Sequence, residues 1–254
     1  MVKLLPKVAL FGANGHLGQI VLKKLHGMNV PKINCLIRKK ATRLKNSKLV
    51  NDVIVGDCFN VNDCKKVCKD IDIVVSTITP PPTSKNFVND LVSGTKNIIE
   101  AAKNSGVKQV IIVGGAGAMK RTNGKFVMDT HPGTFLRMVP IYHYFSQAHK
   151  QNLELLEESG LDYTFFAPGF MWHAGKQSDD TNVKMWIDRN DKMWRGLVCT
   201  YEDIGYAIAK EAVNNNLINK KIGIESSDQY WLSLFKGSLI VANWQLNRWS
   251  NFHH

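Results

Sequence analysis

Short apolar runs alternate along this chain with stretches whose apolar positions recur every three or four residues. Val8–Phe11 is an unbroken apolar run and predicts a strand; Leu17, Ile20, Val21 and Leu25 then share one face of a helix over residues 16–27. The pattern repeats with strands at 33–37, 53–55, 71–75 and 108–113, separated by helices at 60–69 and 85–105. Phe87, Leu91, Ile98 and Ala102 line one face of the longer helix, which Thr83 or Ser84 is placed to cap. Strands alternating with helices in this way predict an α/β fold with a doubly wound parallel sheet.

Beyond residue 113 the pattern loosens. Residues 118–141 have no clear period and hold Gly124, Pro132, Gly133 and Pro140, which suits a binding loop or lid. A helix over 142–159 ends at Ser159-Gly160, and a strand over 162–167 is broken by Pro168-Gly169. Residues 170–199 are mixed, with strand-like pieces at 183–187 and 196–199. Thr200 and Asp203 have the spacing of a capping box and open a helix to Asn214. Ile222–Ile224 is a last short strand. The tail, Gln229–His254, places Trp231, Leu234, Phe235, Leu239, Ala242, Trp244 and Trp249 at amphipathic spacing. Its polar face lacks the Lys/Arg richness of interfacial helices, so packing on the body or a homodimer contact is expected rather than membrane binding. We expect one domain over residues 1–254, with 168–200 and 226–254 as substrate-side and tail elements.

Composition narrows the classes. The hydrophobic share of 44% and charged share of 21% are ordinary for a globular protein. No apolar run reaches the roughly 18 residues that a membrane span needs. The segment before the first strand is too short for a secretory signal, so a cytoplasmic location is expected. The five cysteines have no metal-like spacing and read as free thiols; no metal site is expected. Net charge is +12, yet residues 1–51 hold eleven Lys/Arg and no acid, so the excess sits almost wholly in the first fifth. Basic stripes interleaved with aromatics are missing, which argues against nucleic acid as a partner.

The candidate chemistry begins where the first strand meets the first helix. Gly12-Ala13-Asn14-Gly15-His16-Leu17-Gly18 has G-x-x-G-x-x-G spacing. Small residues at such a turn let backbone N–H groups approach a pyrophosphate, which the helix N-terminus also favours. A Rossmann-like NAD(P)-binding fold follows, with Gly12, Asn14, Gly15, His16, Leu17 and Gly18 around the cofactor. The second strand ends in Arg38-Lys39-Lys40, with Arg43 beyond. NAD-selective sites place an acid here for the ribose hydroxyls, and NADP sites an arginine for the 2′-phosphate. NADPH is therefore the expected cofactor, held by Arg38 with Lys39 or Arg43 secondary.

With these motifs, Gly94-Thr95-Lys96-Asn97-Ile98-Ile99-Glu100-Ala101-Ala102, Ser159–Thr164 and Tyr201-Glu202-Asp203-Ile204-Gly205 resemble the atypical short-chain dehydrogenases/reductases over roughly residues 5–225. Val113-Gly114-Gly115-Ala116-Gly117 is similar to the NAD(P)H-flavin reductase branch, akin to biliverdin reductase B and NmrA-like proteins. The resemblance implies that Asp57 lies near the adenine. It also implies that Thr77, Ile78 and Thr79, in the loop up to Pro82, flank the nicotinamide half together with Gly114 and Gly115. Pro168, Gly169 and Phe170 are placed beside the cofactor; Trp172 and His173 are further pocket candidates.

The departures from the family pattern matter most. The superfamily's catalytic Ser is replaced by Gly114-Gly115. Lys150 fits the Lys of Tyr-x-x-x-Lys, but the Tyr position is Ser146, with Tyr142 and Tyr144 out of register. Ketone reduction needs a general acid worth about 10²–10⁴-fold. A flavin accepts hydride at N5, delocalises the charge and takes its remaining proton from water, so stacking and orientation do most of the work. The expected activity is therefore NADPH-dependent hydride transfer to a flavin, with FMN or FAD among the substrates, or to a quinone or tetrapyrrole-like planar acceptor. Lys150, His149 and Tyr142 are the candidate catalytic residues. The alternatives are a carbonyl or sugar-nucleotide reductase using Tyr142 or Tyr144, and a non-catalytic NADP(H) sensor of NmrA-like type that binds a partner protein.

Overall fold

The computed structural model describes residues 4–38, 44, 46–81, 84–130, 140–169, 171–175, 177–178, 183–188 and 198–226. The first half runs β1 Val8–Phe11, α1 His16–Gly27, β2 Ile33–Ile37, β3 Asp52–Val55, α2 Val61–Cys68, β4 Ile73–Ser76, α3 Phe87–Asn104 and β5 Gln109–Val113. The second half runs α4 Pro140–Glu158, β6 Asp162–Pro168, β7 Met171–His173, β8 Val183–Ile187, β9 Val198–Thr200, α5 Tyr201–Asn214 and β10 Lys220–Ser226. Eight strands form one sheet in the order β3-β2-β1-β4-β5-β6-β10-β8, parallel throughout except where β8 runs against β10. β7 and β9 pair separately, in parallel, from Met171↔Val198 to His173↔Thr200.

The sheet is covered on both faces, which is why β1, β2 and β5 are buried along their whole length. On one face Leu17, Val21, Leu22 and Leu25 of α1 pack with Ile204, Ile208 and Ala212 of α5. Gly205 makes that crossing close: a Cβ there would sit 2.5 Å from Ile20 Cγ2. On the other face Cys64, Val67, Ile98, Ala102, Leu153 and Leu156 bring α2, α3 and α4 onto the sheet. The strand order reverses between β2-β1 and β1-β4, so the carboxyl ends of β1 and β4 flank the crevice where ligands of such sheets bind.

Several local expectations shift. Asn86, not Thr83 or Ser84, is the N-cap of α3, and its side chain makes no capping bond. Ser84 instead accepts from the Asn86 N–H and donates to Asp90 Oδ2 at 2.6 Å. A 3₁₀ turn at Ala116–Ala118 leads into the aperiodic stretch, which contains another at Val127–Asp129, and its last two residues, Pro140 and Ile141, already belong to α4. β10 is longer than its apolar triplet. The Thr200 hydroxyl does cap α5, accepting from the Asp203 N–H at 3.0 Å. The tail beyond 226 lies outside the described residues, as do Lys39, Arg43 and Phe170. Among the described residues no helix is long and apolar enough to cross a membrane, and no trio of His, Cys, Asp or Glu side chains could hold a metal. All five thiols are free.

Candidate functional site

Gly12 leaves β1 with φ +85, a region that costs other residues strain. Its α-carbon also faces Thr77, whose Oγ1 would be 2.7 Å from any Cβ at position 12. Thr77 is fixed there by its own N–H and hydroxyl, which donate to the Phe11 carbonyl at 3.0 and 3.1 Å. Gly18 lies behind the turn, where a Cβ would come 2.1 Å from the Gly12 carbonyl oxygen, so α1 can approach β1 only with glycine there. Gly15 is the N-cap of α1; it supplies no side-chain cap, and no acid occupies the first turn. The N-terminus of α1 therefore presents backbone N–H groups and a partial positive charge without a competing carboxylate.

A cavity of about 840 Å³ runs along the carboxyl edge of the sheet past this turn. At one end stand Leu36, Ile37 and Arg38 from the end of β2, with Asp57, Cys58 and Phe59 after β3. Arg38 is exposed, and Phe59 is 52% exposed despite its size. Asp57 Oδ1 accepts from the Phe59 N–H at 3.1 Å, shaping this corner. Burial, followed by the neighbouring Asp57 charge, pushes the Cys58 thiol up to about 11, which keeps it protonated.

The middle and far end are built by the β4, β5 and β6 edges and by α3 and α4. Thr77, Ile78 and Thr79, Gly114 and Gly115, and Pro168 and Gly169 all line the cavity. The two glycines after β5 have steric reasons. A Cβ at 114 would meet Phe165 Cζ at 1.9 Å, and one at 115 would press on His149 Cδ2 at 3.2 Å. His149 is 6% exposed and lines the cavity; its Nδ1 is buried with no hydrogen-bond partner among the described residues. Burial pulls its pKa down to about 4, so the imidazole is neutral at pH 7.

The predicted site residues thus largely converge. Gly12, Asn14, Gly15, His16, Leu17, Arg38, Asp57, Tyr142, His149 and Trp172 line the same cavity. Lys150 does not join them. Its Nζ lies 4.4 Å from the centre of the Phe126 ring, a cation–π contact. Tyr142 reaches the cavity, but burial raises its phenol pKa, the wrong direction for a proton donor. Tyr144 is 43% exposed and lies outside the cavity lining. Residues missed from the sequence include Phe59, Asp90, Leu91, Phe145 and Tyr201. Tyr201 stacks on His16 with centroids 5.8 Å apart and meets Trp172 edge-on. Its position directly after the Thr200 cap was the one available signal, since a helix N-terminus at a sheet's carboxyl edge points toward the crevice.

A family model described as NAD(P)H-binding matches residues 12–215. Solved structures similar to the chain include a wide-type short-chain dehydrogenase/reductase from Veillonella parvula in complex with NADP. Its TM-score is 0.68 at 19% identity, covering 89% of this chain and 97% of that one. A candidate NADH-flavin reductase from Streptococcus pneumoniae superposes with TM-score 0.67 at 17% identity, covering 87% and 100%. An anaerobillin reductase from Escherichia coli O157:H7 gives 0.68 at 16%, covering 87% and 98%. At these identities the likeness is one of fold. No curated protein matches the sequence.

Proposed function

The chain belongs to the NAD(P)H-binding family, and from that premise we propose that it is an NADPH-dependent reductase transferring a hydride to a flavin or similar planar acceptor. One observation carries the reading. Where the superfamily presents its serine, this cavity has bare glycine backbone at 114–115, and where it presents its tyrosine, only Ser146, beside a neutral, buried imidazole.

Gly12 and Gly18 let the turn close tightly against Thr77 and the start of α1, which suits the pyrophosphate of a dinucleotide. Gly12, Asn14, Gly15, His16 and Leu17, at the start of α1, would hold the pyrophosphate. Arg38, with Lys39 as a second cation, would take the 2′-phosphate; Asp57 and the exposed face of Phe59 would border the adenine. Thr77, Ile78, Thr79, Gly114, Gly115, Pro168, Gly169 and Phe170 would enclose the nicotinamide half. When bound, the reduced cofactor supplies a hydride. The chain's own task is to hold a flat acceptor between α4 and the loops after β4 and β5, with the single proton that balances the hydride drawn from solvent. His149 would border the acceptor with its neutral ring. Lys150, resting on Phe126, has no part in this scheme. The carbonyl-reductase alternative keeps Tyr142 in the cavity, with its phenol pKa raised by burial, but without the lysine that would tune it.

The test is to mix the protein with NADPH and riboflavin, FMN or a quinone and follow nicotinamide absorbance. Turnover with planar acceptors but not with ketones is expected. Tight NADPH binding without turnover on any acceptor would replace this reading with that of a cofactor sensor.

A further inference from the structure

The acceptor end of the cavity has an unusual charge balance. Its walls are largely apolar, with Ile78, Pro80 and Pro81 after β4, Leu91 on α3 and Phe145 on α4. Arg38 is the only Lys or Arg among the described residues that line the cavity, and it stands at the opposite end, beyond the glycine turn. Lys150, the nearest lysine in sequence to the lining residues of α4, is turned onto Phe126. His149 is uncharged at neutral pH because it is buried. Among the described residues that line this end, the one ionic side chain is a carboxylate, Asp90, in the first turn of α3.

Asp90 has a local role, since an acid in the first turn complements the helix dipole. That role does not require it to border a cavity. Its Oδ2 accepts from Ser84 Oγ at 2.6 Å, which fixes the group at the cavity wall and leaves Oδ1 without a partner among the described residues. A negative charge held beside apolar walls, with no Lys or Arg beside it among the described residues that line this end, repels anions and admits neutral rings.

Resting on the reductase reading above, we propose that this site takes an uncharged planar acceptor and that Asp90 rejects anionic ones. Dephosphorylated flavins and quinones belong to the admitted class. Flavin phosphates and acceptors bearing carboxylate arms belong to the rejected class. A unit of like charge within several ångströms at the protein surface corresponds to about tenfold in affinity.

The experiment measures binding of riboflavin and of FMN to the NADP⁺-loaded protein by quenching of flavin fluorescence, for the wild type and for Asp90→Asn. The amide keeps the size of the carboxylate and can still accept from Ser84. In the wild type riboflavin is expected to bind about tenfold tighter than FMN. In Asp90→Asn the gap is expected to close through a gain for FMN, with riboflavin unchanged. A second measurement needs no variant: raising the salt concentration should tighten FMN binding by the wild type and leave riboflavin binding flat. Equal affinity for both flavins in the wild type, or a gap that survives Asp90→Asn, overturns the assignment to Asp90 while leaving the reductase reading in place. Binding of neither flavin nor a quinone such as menadione to the loaded protein overturns both.

Discussion

In the unfolded chain His149 titrates near 6.5, and in the folded protein burial pulls it down to about 4. Between those values the unfolded state binds the extra proton, so stability rises with pH through the window and is lost as pH falls through it. The full contribution is present above about 6.5, and near pH 5 the loss is about 2 kcal/mol. Chemical denaturation across pH 5–7 should show this slope in the wild type and not in His149→Gln; parallel profiles would mean that another group titrates. At the other end of the cavity, Arg38→Ala should raise KM for NADPH at least tenfold more than KM for NADH, because only the former carries the phosphate. Equal effects on both cofactors would remove Arg38 from that role. That Arg38 borders the cavity was legible from its place at a strand end. The Lys150 assignment came from motif register alone, and register does not report which way a side chain turns; here Phe126, on the loop after β5, draws it away.

At the scale of elements, the loop after β5 explains why the family's serine is missing. α4 and β6 approach so closely that a Cβ at 114 would overlap the Phe165 ring and one at 117 would come 2.3 Å from Ser146 Oγ. Gly114→Ser should therefore lower stability by about 2 kcal/mol or more and confer no ketone reduction. Thermal melting and a ketone assay check it, and a stable variant that reduces ketones would refute the packing argument. Helices and inner strands were readable in sequence because one periodicity governs each: α1 keeps its predicted bounds, and α3 loses two residues at its start and one at its end. β10 was cut short because Lys220, Lys221, Glu225 and Ser226 are polar. They extend the strand through pairing with β6 and β8, which lie elsewhere in the chain. Asp90 escaped notice for a similar reason: a helix's apolar stripe marks the face toward the core, and a polar residue beside that stripe looks like solvent-facing surface until the neighbouring loop is in place.

At the scale of the whole molecule, the segment that follows β6 joins the cofactor half to the C-terminal half. Gly169 and Trp172 line the cavity, and the Trp172 indole N–H donates to the Gly169 carbonyl at 2.6 Å. Farther on, the segment is clamped. Asp203, fully buried at the start of α5, accepts from the Ser178 N–H at 2.7 Å and the Ser178 hydroxyl at 2.9 Å. The Ser226 hydroxyl, at the end of β10, donates to the same carboxylate, while Lys24 of α1 holds Gln177 at 2.6 Å and Glu202 at 3.4 Å. A buried carboxylate satisfied by three donors thus ties β10 and the segment at Ser178 to α5; hydrogen bonds to a charged group contribute about 1.5–3 kcal/mol each. Asp203→Asn keeps the volume but replaces one acceptor oxygen with a donor, so at least one serine hydroxyl loses its partner. The expected result is a loss of about 2–3 kcal/mol in urea denaturation together with a rise of about tenfold in KM for NADPH. kcat should fall as well, because Gly169 lies where the cavity would enclose the nicotinamide half. Lost stability with an unchanged KM would show that the clamp holds the fold together without setting the position of Trp172 and Gly169 along the cavity.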